Sequence, residues 1–388
     1  MAPNPHKLTL SKDAFSPSSE GQNSNSNDDY PSQVKLVISG SAGGKAVDSL
    51  AVDWRQNGFG KEKGKTTLSG IIYELGHGEK ADPALEGFSV ANEAPGNVPL
   101  TLIHPLVKGV DGGFPPVNTS PQHAYFNFSF PTITKAEQIQ GKENETKWLA
   151  IFKEASQRSL TIELSLGGDE SVREAVEKLI GKAWDEEAER AKAEGQDVNT
   201  TGARIIFDNL ASPPLSTSSS HLLRSSDLEN WSDFIRRIAL HPRVFLKLSP
   251  LPLPSLLPAT LTSPLRSADA PTSSISSTIA GAVHAATDIA LQATNKAEEV
   301  TSSQDRKGEL LRRLRIFLDT ALEAFGDERL VWAAHMGSTS ATASKTAGSL
   351  SEVEEWFEIC RKGLTASGLK EESLDNIFAK NASKVYRL

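Results

Sequence analysis

Apolar residues along this chain fall into two alternating patterns. Short apolar runs of the kind that make buried strands occupy 34–38 (VKLVI), 68–75 (LSGIIYEL), 100–107 (LTLIHPLV), 160–166 (LTIELSL), 204–210 (RIIFDNL), 244–249 (VFLKLS) and 329–334 (RLVWAA). A further run, 124–130, sets Phe126, Phe128 and Phe130 against Tyr125, Asn127 and Ser129, the period-two signature of a strand. Between the later runs the spacing becomes helical. Trp148, Leu149, Phe152 and Ala155 share one face, as do Val172, Val176, Leu179, Ile180, Ala183 and Trp184. Residues 231–240 form a short helical stretch. Leu310, Leu314, Phe317, Leu318, Leu322 and Phe325 form a long one, stopped by Gly326. Strand and helix patterns alternate from Leu68 onward, which predicts a parallel sheet wound by helices. Eight strand candidates is the number of a (β/α)8 TIM barrel, whose chemistry sits at the C-terminal ends of the strands.

Two stretches break the pattern. Residues 1–33 form an N-terminal segment whose 11–33 portion is rich in Ser, Asn, Asp and Gly; it buries too little to offset ordering entropy and is expected to be disordered. Within the remaining 34–388, residues 250–308 read as an insertion in a strand-to-helix connection. Its first part, 250–274, is Pro-, Leu- and Ser-rich without a period and is expected to be mobile. Its second part carries small residues at helical spacing from Ile279 to Val300.

Composition narrows the function classes. With 41 basic and 49 acidic residues the net charge is −8, which argues against a nucleic-acid footprint. No apolar run spans a membrane. The first residues lack the apolar core of a signal peptide, and one cysteine, Cys360, excludes an internal disulfide, so a cytoplasmic location is expected. Cys360 shares a helix with Trp356 and Phe357 and reads as packing. Ser39–Gly44 is a glycine-rich turn without the Gly-Lys-Ser/Thr ending of a phosphate loop.

The polar residues at predicted strand ends carry the candidate chemistry. His335 follows the last strand and titrates in the range of a general base. Asp208 and Asn209 end the strand at 204–210. Lys247 lies in the strand at 244–249, where it either holds a substrate oxygen or pairs with Asp208 or Glu163. His104, before Pro105, is a candidate substrate contact or a structural histidine.

The last quarter of the chain resembles a known family. Phe325-Gly326, Arg329-Leu330 and Trp332, then the terminal Ile377-Phe378, Asn381-Ala382, Val385-Tyr386 and Leu388, are similar to the amidohydrolase-related (amidohydrolase 2) family, which includes sugar-lactone and 2-pyrone-4,6-dicarboxylate lactonases. The segment 244–249 resembles the family's V-x-x-K-L-S strand, with Lys247 and Ser249 in place, and 204–210 resembles its V-L-D-H strand. The resemblance implies a TIM barrel, a small-molecule substrate, and hydrolysis of a lactone or similar cyclic ester by water attack on a carbonyl. It also implies that a divalent metal is used by some members. This chain departs from the pattern at the sites that matter. No His-x-His occurs among the eight histidines; the family's strand-tip His is Asn209, and its final Asp is His335. No metal is therefore expected, and two readings stand. One is a lactonase-like hydrolase with His335, Asp208 and Asn209 as catalytic residues and Lys247 and His104 as substrate contacts. The other is a non-catalytic barrel that binds a small acid or a protein partner.

Overall fold

A computed structural model of the chain describes residues 30–39, 66–74, 100–105, 124–130, 132–197, 202–214, 219–250, 308–335 and 350–386. The expected insertion, apart from its two ends, and the glycine-rich turn after Ser39 lie outside these residues.

Among the described residues nine strands make one parallel sheet: β1 (Gln33–Ser39), β2 (Thr67–Glu74), β3 (Leu100–Pro105), β4 (Ala124–Ser129), β5 (Thr161–Leu164), β6 (Arg204–Phe207), β7 (Val244–Leu248), β8 (Leu330–Trp332) and β9 (Ala334–His335). Each of β1 to β8 pairs in parallel with its sequence neighbour. Thus the four expected strands in the second half are consecutive parallel neighbours. β8 and β9 are separated only by Ala333. The first pairs with β7; the second pairs with β1, Ile38 opposite Ala334 and Ser39 opposite His335.

Most of the described helices cover one face of this sheet: α1 (Lys142–Gln157), α2 (Glu170–Glu194), α3 (Ser226–Ile238), α4 (308–325) and α5 (Leu350–Ala366). Asp169 caps α2 through Ser171, and Gly195, at φ 67°, ends it in the left-handed turn that glycine adopts without strain. In β7, Val244, Leu246 and Leu248 pack with the helical layer, while Phe245 joins a second cluster with Ile72, Ile206, Val331 and Ala333 on the opposite face. Both faces are therefore buried, which is why these strands read as near-continuous apolar runs.

The second face is stoppered at one end. Ala382, Val385 and Tyr386 of the terminal helix α6 (Asn381–Tyr386) complete the cluster around Phe245. Asn381 anchors that helix by donating to the carbonyls of Asp327 and Leu330, at 2.6 and 2.8 Å, and the carbonyl of Val385 accepts from Thr161 Oγ1 at 2.7 Å. Lys35, its ammonium pKa lowered by burial, donates to Ser383. The N-terminal ends of the strands are thus occupied, and their C-terminal ends carry the polar residues.

Two expectations need correction. Residues 30–33, read from sequence as the close of a disordered segment, are packed and bonded. Tyr30 is buried, its hydroxyl 3.3 Å from Glu358 and its ring under the Arg361 guanidinium, and Ser32 donates twice to Asp375. One aromatic ring and a carboxylate partner outweigh the polar composition of the preceding segment. The strand expected at 204–210 stops at Phe207, because the chain turns sharply at Asp208.

Candidate functional site

The sheet face that carries Phe245 changes character along the strands. Near their N-terminal ends it is apolar, with Ile206, Phe245 and Val331. Two residues further along β7, Lys247 is fully buried and its Nζ lies 2.7 Å from Oε1 of Glu163 on β5, itself 7% exposed. Two residues further again, past the strand ends, Ser165, Asp208 and Ser249 form a hydroxyl–carboxylate cluster. Asp208 is buried, accepting from Ser249 Oγ and, at 3.3 Å, from Ser165 Oγ. Ser249 Oγ in turn accepts from the backbone N–H of Asn209 at 3.2 Å. The period of two along a strand places apolar, ionic and hydroxyl layers in succession.

The backbone that follows β6 is strained. Asn209, Leu210, Ala211 and Ser212 all have positive φ, between 49° and 56°, so four consecutive non-glycine residues are left-handed. Each costs about 1–2 kcal/mol against the ordinary conformation. The surroundings hold them there. The indole N–H of Trp231 donates to Leu210 O at 3.1 Å, Arg173 donates to Ser212 O at 2.9 Å, and Ser212 Oγ donates to Leu166 O. The Ser212 N–H closes the turn on Asn209 O at 2.9 Å. The result presents Asn209 beside Asp208. The Asn209 side-chain carbonyl oxygen is buried and has no hydrogen-bond partner.

The five residues singled out from sequence divide accordingly. Asp208 and Asn209 are brought together, and Lys247 lies on the same face but is committed to Glu163. His335 ends β9 opposite Ser39, and His104 sits in β3 opposite Phe126, so each has a place in the sheet; their side chains lie outside the described residues. Ser165 was not singled out from sequence. The alternation Phe245, Lys247, Ser249 pointed to Ser249 and Lys247 sharing a face, but no local signal marked the left-handed turn beyond Asn209, a residue type that tolerates that conformation. Cys360 is fully buried and its thiol pKa is pushed well up by burial, with a smaller downward pull from Trp332, so it is packing.

Among the described residues the donor set does not fit a divalent metal. Among the described residues no three His, Cys, Asp or Glu side chains come together. Asp208 is already met by two hydroxyl groups, and Glu163 by an ammonium, which is the wrong chemistry for a cation site.

Solved structures are similar to this chain. An amidohydrolase from Burkholderia multivorans, determined with bound zinc, is 12% identical, and the match covers 92% of this chain and 100% of that one at a TM-score of 0.50. An amidohydrolase 2 from Bifidobacterium longum subsp. infantis matches at 12% identity over 92% of this chain and 99% of that one, TM-score 0.44. A protein from Pseudomonas putida, named for 2-pyrone-4,6-dicarboxylic acid hydrolysis, matches at 10% identity over 91% and 98%, TM-score 0.44. No family model matches the chain, and no curated protein does. At 12% identity and a TM-score of 0.50, the likeness to the Burkholderia multivorans structure is one of fold alone. No described helix is long and apolar enough to cross a membrane.

Proposed function

We propose that this chain is a (β/α)8 barrel hydrolase of the amidohydrolase-related type, cleaving a lactone or similar cyclic ester by water attack on the carbonyl. The barrel reading is supported by the pairing of β8 with β7 and of β9 with β1. The observation that carries the functional reading is the strained left-handed turn that sets Asn209, whose buried side-chain carbonyl oxygen has no partner, beside Asp208 at a strand end. Strain held in place by this many contacts is characteristic of working sites.

In this reading water adds to the carbonyl carbon as His335 takes its proton. The Asn209 amide N–H steadies the oxyanion. The ring C–O bond then breaks, and the imidazolium returns the proton to the departing alkoxide, leaving a hydroxy acid. Asp208, fixed by Ser165 and Ser249, holds the Asn209 backbone through Ser249. The Lys247–Glu163 pair lies beneath. His104 is a substrate contact.

A panel of five- and six-membered lactones, assayed with and without chelator, tests the activity. Asn209→Gly is the informative variant, because glycine keeps the left-handed backbone and removes the amide. Activity should fall about a hundredfold or more, as for loss of one oxyanion donor, with stability nearly unchanged. Asn209→Val, branched at a left-handed position, should instead lose stability. An active protein indifferent to both Asn209→Gly and His335→Ala would place the chemistry elsewhere.

One observation favours a second reading, a non-catalytic barrel binding a small acid or a protein partner: Glu163 neutralises the one lysine that the first reading would set against the substrate. Absence of turnover across the panel, in protein that nevertheless binds hydroxy acids, would select it.

A further inference from the structure

A second candidate site lies on the far side of the helical layer. Between α1 and α2 there is a cavity of about 230 Å³. The two helices line it with matching stripes: Leu149, Phe152, Lys153 and Ser156 on one, Ala183, Glu186, Glu187 and Arg190 on the other. The i, i+3, i+4, i+7 spacing on both shows a seam that parts instead of interlocking. Leu149, Phe152 and Ala183 make its wall apolar. Its polar floor is built and ordered. Glu187 accepts from Ser156 at 2.5 Å and from Arg243 at 2.7 and 3.1 Å, and Arg190 Nη2 donates to both Ser156 and Glu187.

Lys153 and Arg190 face Glu186 and Glu187 across this cavity, and the cations are only partly engaged. Arg190 uses only Nη2; its Nε and Nη1 make no hydrogen bond. Lys153, at the rim, pairs with no carboxylate. Glu187 is already met by both terminal nitrogens of Arg243, which lies behind the lining, so Arg190 is not its sole counter-charge. A half-buried guanidinium with open donors beside an apolar wall suits one chemistry, a carboxylate carrying an apolar body. Glu186, also unpaired, stands one helical turn from Arg190 and repels a second negative charge. The volume corresponds to roughly seven or eight water-sized groups at ~30 Å³ each.

We propose that the α1–α2 cavity binds a small apolar monocarboxylate, its carboxylate on Arg190 and Lys153 and its hydrocarbon against Leu149, Phe152 and Ala183. The site is separate from the strand-end cluster and does not depend on the proposed hydrolase activity.

Calorimetric titration of the full chain with hexanoate tests this, with hexanamide, adipate and inorganic phosphate alongside. Hexanoate should bind one to one, with the other three at least about tenfold weaker, because a charge-assisted hydrogen bond contributes ~1.5–3 kcal/mol. Arg190→Gln should weaken hexanoate about tenfold or more, and Lys153→Gln a few-fold. Ala183→Phe, which fills the cavity while keeping every charge, should abolish binding; it keeps the test open if the Arg190 variant does not fold. Equal binding of hexanoate and hexanamide would overturn the proposal. So would the absence of saturable binding. Hexanoate binding that survives Ala183→Phe would place the acid elsewhere, for instance at the strand ends, and would overturn it too.

Discussion

At the scale of single residues, the Lys247–Glu163 pair decides how the interior of the sheet is built. Neither side chain has water to return to, so each depends on the other. Removing one partner leaves a buried charge, and Lys247→Met or Glu163→Leu alone should each cost about 3–5 kcal/mol in urea unfolding. The double variant should recover most of that loss, since an apolar pair of similar volume avoids desolvation altogether. Additive losses would mean that the two charges answer to other groups. The same logic separates Lys247 from Asp208. The carboxylate of Asp208 is satisfied by hydroxyls, which can exchange partners with an incoming substrate or water more cheaply than an ammonium can.

At the scale of elements, α3 acts as a clamp on the left-handed turn at 209–212. Trp231 is fully buried, stacks edge-on with Phe317 at 5.3 Å, and donates its indole N–H to Leu210. Trp231→Phe keeps the ring and loses the donor. It should cost about 1–3 kcal/mol and raise hydrogen exchange across 209–212 more than in β5 or β7. Uniform loss of protection would show that the turn needs no clamp. A second device joins α2 to the start of β7. Trp184 lies 5.3 Å from the His241 ring and 4.5 Å beneath the Arg243 guanidinium. The His241 pKa is lowered from 6.5, first by burial, with Arg243 adding to the shift and Glu177 and Asp185 opposing it. The unfolded chain therefore binds the proton more readily. Stability should be full above about pH 6.5 and decline as pH falls through the folded value. In thermal unfolding between pH 8 and 5, His241→Gln should flatten that decline. An unchanged slope would assign the acid sensitivity to other groups.

At the scale of the whole molecule, the first and last described residues meet. Tyr30 and Ser32, just before β1, bond to Glu358, Arg361 and Asp375 near the C-terminus, and α6 closes the N-terminal ends of the strands. Deleting residues 381–388 would uncover Phe245, Ile206 and Val331. With each buried aliphatic or aromatic side chain contributing roughly 1.5–3 kcal/mol, the loss of Ala382, Val385, Tyr386 and the Asn381 hydrogen bonds should exceed about 5 kcal/mol. The truncated chain should be insoluble or bind hydrophobic dye; a soluble, cooperatively unfolding product would contradict the plug.

The sequence by itself determined what local periodicity and burial dictate. All eight strand positions (the last of them divided at Ala333), helices near 145–156, 172–191 and 309–325, and the parallel order of β5 to β8 follow from where apolar runs and helical stripes fall. The strand-end placement of Asp208, Asn209 and Lys247 was legible for the same reason. Tertiary structure alone decided which polar partners meet, because those partners are far apart in the chain. Glu163 reaches Lys247 across 84 residues, and Ser249 reaches Asp208 across 41. It also decided that 209–212 turn left-handed. Leu210 and Ala211 have no intrinsic preference for that conformation, and they adopt it only because Trp231, Arg173 and Leu166 supply the partners that outweigh the strain.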